Sequence, residues 1–231
     1  MLQNLKELYG RKLAASDGDI GHVKDFYFDD LTWAVRYIVA DTGTWLTGRQ
    51  VLLAPHALGR FDRKGEIFPV NLTRKKIEDS PSIDTHRPVS RQYEEEYYRY
   101  YGQAGYWQAG GMTGLADIPA IAPPSIPVTT AHHGHHQRDD VHLRSTKAVT
   151  GYSIEATDGP MGSVCSFMVN HRSWMIRDLV VETGHWYAGK EILISPGKIV
   201  RISYEESKVF VKLSQADIRR TAEHEMVKVG A

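Results

Sequence analysis

Apolar positions along this chain come in short runs broken by Asp-Gly, Gly and Pro, a pattern that predicts β-strands joined by tight turns. Asn4 and Ser145 each stand where an N-cap would open one helical turn. Gly10 and Gly151 then end that turn with a residue suited to positive φ. A strand follows to Ala15, and "SDGD" supplies a hairpin, as "TDGP" does later in the chain. The next strand, from about Ile20 to Phe28, carries Val23, Phe26 and Phe28, which slip by one place from strict alternation. Val164, Phe167 and Val169 slip in the same way, which predicts a bulge at the same position in each stretch. The run "WAVRYIVA" that follows is apolar for both faces, as in a strand covered on both sides.

These likenesses belong to a longer repeat. "TGTWLTGRQVLLAP", from Thr42 to Pro55, is written again as "TGHWYAGKEILISP", from Thr183 to Pro196, at an offset of 141 positions. The offset holds without a gap from Leu2 on Leu143, through Gly21 on Gly162 and Trp33 on Trp174, to Ile77 on Ile218. The chain is therefore an internal duplication of a unit of about 75 residues, and a register kept so long predicts one fold for both copies. Each glycine-bearing loop connects the "WAVRYIVA" strand to "QVLLAP", or its second-copy equivalent, where a proline stops the ladder. A further hairpin is expected at "DRKGE". Thr73 and Ser214 are placed to cap a short closing helix, Ser214 and Asp217 at capping-box spacing. Sheets this small are expected to curl into barrels that leave fewer open edges.

The order "ASDGDIGHVKDFYFDDLTWAVRYIVADTGTWLTGRQVLLAP" and its second copy resemble the PRC-barrel domain. That family includes the cytoplasmic domain of the photosynthetic reaction-centre H subunit, the C-terminal domain of a ribosome-maturation factor and many free-standing bacterial proteins. The resemblance implies an all-β chain of two small barrels in tandem: residues 1–80, a connector over 81–142, and 143–231 with a C-terminal helix. It implies docking rather than catalysis, since the family shares no catalytic motif. The second copy has "VNHRSW" where the first has "FDDLTW", so a role of the acidic turn Asp29-Asp30 is not carried over to that half.

Composition narrows the setting. With 42% hydrophobic residues the 231-residue chain has enough apolar material for a packed core. Lys plus Arg and Asp plus Glu both number 28, so no global charge points to direct nucleic-acid or lipid binding. The single cysteine, Cys165, allows no intrachain disulfide, and the start "MLQNLKELYG" lacks the long apolar region of a signal peptide. A cytoplasmic setting is the expectation. No run of 18 apolar residues is present to form a transmembrane segment.

Between the copies, "SRQYEEEYYRYYGQAGYW" places Tyr93, Tyr97, Tyr100 and Tyr101 at helical spacing, predicting an amphipathic helix near 90–102. A Gly-, Ala- and Pro-rich linker follows. His132, His133, His135 and His136, with Asp139, Asp140 and His142 nearby, are the cluster with metal-ligand chemistry, suited to zinc, copper or nickel. A linker gives such ligands little of the second shell that fixes geometry, so a solvated spacer is expected and a loose surface metal site is the alternative. No cofactor is expected.

Arg36 and Arg177 sit at equal positions within the apolar strand, where an ion pair with a neighbouring Asp is the structural expectation and an anion site the alternative. Cys165 has no partner at a spacing that would activate it and is read as inert. Trp45 and Trp186, with Arg49 and Lys190 beside them, are the candidate interaction residues, because a loop tryptophan can anchor a partner or seal its own barrel. A fused homodimer would retain pseudo-two-fold pairing of its halves, and these loops are candidates for that contact or for a homodimer interface. The chain is thus expected to be a non-enzymatic interaction or scaffold module, docking to a larger membrane-associated or electron-transfer assembly. A ribosome- or RNA-processing-associated factor and a metal-responsive binding protein stand as alternatives.

Overall fold

A computed structural model describes residues 2–46, 48–59, 67–79, 100, 142–184 and 189–218. Residues 1–82 and 142–231 form one compact unit, and Ile83–Val141 form another, of which Tyr100 alone is described. The expected helix near 90–102 and the histidines His132, His133, His135 and His136 therefore lie outside the described residues.

The described residues are mostly β. The first half has β1 (Leu2–Asn4), β2 (Lys12–Ala15), β3 (Gly18–Asp29), β4 (Val35–Asp41), β5 (Gln50–Leu53), β6 (Ile67–Pro69) and helix α1 (Arg74–Glu78). The second half has β7 (Leu143–Ser145), helix α2 (Thr146–Val149), β8 (Ser153–Ala156), β9 (Gly159–Asn170), β10 (Met175–Thr183), β11 (Glu191–Ile194), β12 (Ile199–Ser203) and β13 (Lys208–Val211). One sheet runs β5-β4-β3-β2-β6 and the other β11-β10-β9-β8-β13-β12.

Local chemistry sets these elements in the same way twice. Asn4 Oδ1 accepts from Lys6 N at 2.9 Å and Ser145 Oγ from Ala148 N at 3.0 Å, each capping the turn that follows. In the β3–β4 ladder Lys24 is passed over between Val23 and Asp25. In the β9–β10 ladder its equivalent Cys165 is passed over between Val164 and Ser166. The bulges stand where the slipped alternation predicts them. Gly21 and Gly162 lie where a Cβ would come within 1.9 and 2.1 Å of the carbonyl oxygens of Asp41 and Glu182, so only glycine lets the strands approach. The hairpin aspartates reach across to the closing helices: Asp17 Oδ1 accepts from Arg74 N at 2.7 Å, and both Asp158 oxygens accept from Gln215 N at 3.0 Å.

The two halves exchange their first strands. β1 of the first half pairs with β9 of the second, Leu2 opposite Asn170, while β7 of the second half pairs with β3 of the first, Leu143 opposite Asp29. Side chains follow the same rule. Ser145 Oγ donates to Asp25 Oδ2 at 2.5 Å, and the equivalent pair, Ser166 and Asn4, is joined by its own hydrogen bond. Val35 N donates to Trp174 O and Ile176 N to Trp33 O, both at 2.8 Å. Between them Ala34 and Met175, equivalents of one another, form a single antiparallel bridge.

Packing closes the junction. Phe26 and Phe28 of β3 belong to one continuous buried cluster with Val164, Phe167 and Val169 of β9, and the Phe28 and Phe167 rings lie 5.4 Å apart. Full burial of one such ring contributes about 1.5–3 kcal/mol. A net backbone hydrogen bond contributes about 1 kcal/mol, so the shared core, rather than the three-residue strands, carries most of the attachment between halves.

Candidate functional site at the junction of the halves

The turns that follow β3 and β9 build the edges of the junction. Asp29 Oδ1 accepts from Leu31 N at 2.9 Å and Thr32 N at 2.8 Å, and Asn170 Oδ1 accepts from Arg172 N and Ser173 N at 3.0 and 3.3 Å. An amide oxygen therefore holds the second turn as a carboxylate holds the first. Each turn ends on a tryptophan in left-handed backbone, Trp33 at φ 61° and Trp174 at φ 53°. For a bulky side chain this costs about 1–2 kcal/mol, which tertiary packing must offset. Trp174 does so by crossing into the first half, 6.2 Å from the Phe26 ring and 6.5 Å from Phe68.

The two sides of the junction differ. Phe68, which packs on Trp174, is matched in the second half by Val209, which offers Trp33 no ring. On the Trp33 side lies an open cleft of about 210 Å³. Asp30, Leu31 and Trp33 line it from the first half, His142, Arg144 and the stretch 199–202 of β12 from the second. Its polar floor is one carboxylate with two cross-half partners: Arg144 Nε donates to Asp30 Oδ2 at 2.7 Å, and His142 Nδ1 lies 2.8 Å from Asp30 Oδ1. The equivalents of Asp30 and Arg144 are His171 and Gln3, so this charge pair exists on one side alone. The rim is apolar: Leu31 is 68% exposed and Val200 64%.

Arg36, one strand away, makes the expected ion pair, its Nη2 at 3.3 Å from Asp29 Oδ2 and 3.0 Å from Thr32 Oγ1. Burial opposes the Asp29 charge. The Thr32 amide, the Arg36 guanidinium and the Leu31 amide outweigh it and hold the carboxyl below its usual range. Arg177 has Asn170 in place of that aspartate and is exposed. Cys165 is half-buried, its Sγ 3.3 Å from Val180 O, and burial, followed by the Glu191 charge, pushes the thiol up. That environment suits an inert side chain.

The repeated loop lies elsewhere. The Arg74 guanidinium sits 4.6 Å from the centre of the Trp45 ring, and Arg49 Nη1 donates to Glu78 O at 2.8 Å, so both residues are fastened to α1 of their own half. Lys190 is exposed, and its carbonyl accepts from Thr183 Oγ1 at 2.8 Å. Trp186 lies outside the described residues. Among the described residues Trp33 and Trp174 are the tryptophans at the junction, and the signal for them was present in the sequence as a second matched pair closing a turn.

No family model matches the chain. It is similar to an "uncharacterized protein" of Deinococcus radiodurans, 33% identical over 97 residues that cover 36% of this chain and 35% of that protein. The match thus spans about a third of each. Among the described residues no group of three His, Cys, Asp or Glu is placed to hold a metal. No described helix is long and apolar enough to cross a membrane.

Proposed function

We propose that this chain is a non-enzymatic interaction module, a tandem PRC-type barrel protein that docks a segment of another protein in the junction cleft. The barrel reading is supported by the matched strand order and by bulges that curl β3 and β9 at equivalent places. The observation that carries the docking reading is the rim. Leu31 and Val200 come from different halves, are among the most exposed large apolar residues described, and meet over one cleft. The polar groups beneath them favour binding over turnover, because among the described residues that line the cleft no Ser, Thr, Cys or Lys stands as a nucleophile beside the Asp30–His142 pair.

Photo-crosslinking in the native host tests this. A photoreactive residue at position 31 is expected to capture a discrete protein partner, while one at Leu193, 59% exposed on β11, captures none. Val200→Asp is expected to abolish the capture. A chain that turns over a substrate, or that crosslinks equally from both positions, would overturn the proposal.

A further inference from the structure

β12 ends its sheet. Among the described residues it pairs with β13 alone, so the N–H and C=O groups of alternate residues over Arg201, Ile202 and Ser203 point away from β13, and residues 199–202 border the cleft. Edge strands of monomeric proteins are usually blunted by charge or proline. β12 reads "IVRIS", and its one charge is folded back, with Arg201 Cζ 3.8 Å from the Phe210 ring and Nη2 2.9 Å from Glu206 Oε1. The register slips between Ile199 and Arg201, which leaves the remainder of the strand regular and Val200 turned outward.

The cleft beside that edge has a size and a charge. Small-molecule sites enclose about 300–1,000 Å³. At about 210 Å³ this one fits one or two side chains rather than a whole metabolite. Arg144 spends Nε on Asp30, and among the described residues nothing engages its two Nη groups, while its side chain remains 24% exposed. Glu206 already meets the Arg201 charge, so among the described residues the Arg144 Nη groups are the donors left to the cleft, and a carboxylate suits them where an ammonium group does not.

We propose that the occupant is an extended peptide that adds as a strand to the outer edge of β12, placing one aliphatic side chain between Leu31 and Val200 and a carboxylate on the Arg144 Nη groups. The proposal rests on the docking reading above and names its partner class. Main-chain hydrogen bonds would supply affinity, and alternate side chains, which share one face, would supply selectivity. The recognised motif is then acid-x-aliphatic, with the acid two positions from the apolar residue.

The test uses the full chain, ¹⁵N-labelled, titrated with acetyl-Glu-Thr-Leu-Thr-Glu-amide and read by amide chemical shifts. Shifts concentrated on β12 and the Leu31 turn are expected. They are expected to be lost when every residue of the peptide is N-methylated, and to weaken at least about tenfold when lysine replaces the glutamates. Leu31→Glu, at a solvent-facing position, is expected to weaken binding while the rest of the spectrum is kept. Equal binding by the N-methylated or lysine peptide, or no binding, overturns strand addition even if position 31 still captures a partner in cells. Peptide binding at β12 without any such capture supports the inference and counts against the cellular docking reading.

Discussion

Ser145 of the second half donates to Asp25 of the first across 2.5 Å, and the same carboxylate accepts from Thr146 Oγ1 at 3.0 Å, Lys147 N at 3.1 Å and Phe26 N at 2.7 Å. A buried acid of one half thus satisfies one amide and two hydroxyls at the opening of a helix in the other. Asp25→Ala is expected to lower stability by about 2–4 kcal/mol, because buried donors lose a charged acceptor. Asn4→Ala, at the equivalent contact, is expected to cost about 1 kcal/mol. Urea unfolding of both variants checks the order, and equal losses would refute it.

Acid should act through Asp29. Its folded carboxyl titrates below its unfolded value, so its contribution is complete above the unfolded range near 3.8 and is lost as pH falls through the folded value. Asp29→Asn keeps the turn caps, as Asn170 does in the second half, and gives up the ion pair with Arg36. The variant is expected to be less stable at pH 7 by about 1 kcal/mol and to lose less stability between neutral and acid pH. Parallel pH profiles for the two proteins would exclude this assignment.

The close approach at Gly21 admits no Cβ. Gly21→Ala and Gly162→Ala are each expected to cost about 2–4 kcal/mol, since a carbonyl oxygen must move and the backbone at positive φ is strained as well. Gly10→Ala has open space around its Cβ and bears only the φ penalty, so it is expected to cost about 1–2 kcal/mol. Thermal unfolding of the three variants separates the two effects.

Trp45 is held by its own half. Trp45→Ala is expected to lower stability by about 1–2 kcal/mol through lost contact with Arg74 and the core, with no change in sedimentation. A change of association state without loss of stability would place the loop in an interface instead.

Residues 1–82 and 142–231 produced as separate chains are expected to fold on mixing, because each lacks a strand that the other supplies. Analytical ultracentrifugation and amide spectra should show a one-to-one complex. A folded, monomeric first fragment would contradict the exchange.

Much of this architecture was legible because alternation, turn chemistry and a constant offset all constrain local geometry. The bulges at Lys24 and Cys165 came from slipped alternation, and the caps at Asn4, Thr73 and Ser214 from residue type before a turn. The exchange of β1 and β7 was not legible. "LQN" and "LRS" are too short to carry a register, and the edge each joins is decided by rings and carboxylates far along the chain. The two tryptophan pairs show the same limit. Trp45 and Trp33 both close polar turns, and nothing local tells that one lies on its own helix while the other faces the opposite half.

The exchange also sets an order of events during synthesis. Leu2 leaves the ribosome early, yet its partner Asn170 follows only after the entire connector has been made. Until then the nascent first half holds Phe26 and Phe28 without the side chains of β9 that complete their core, and β3 without β7 along its edge. Translation speed through the connector therefore sets how long a sticky half-molecule waits, and a holdase chaperone would act on this chain before its second copy emerges.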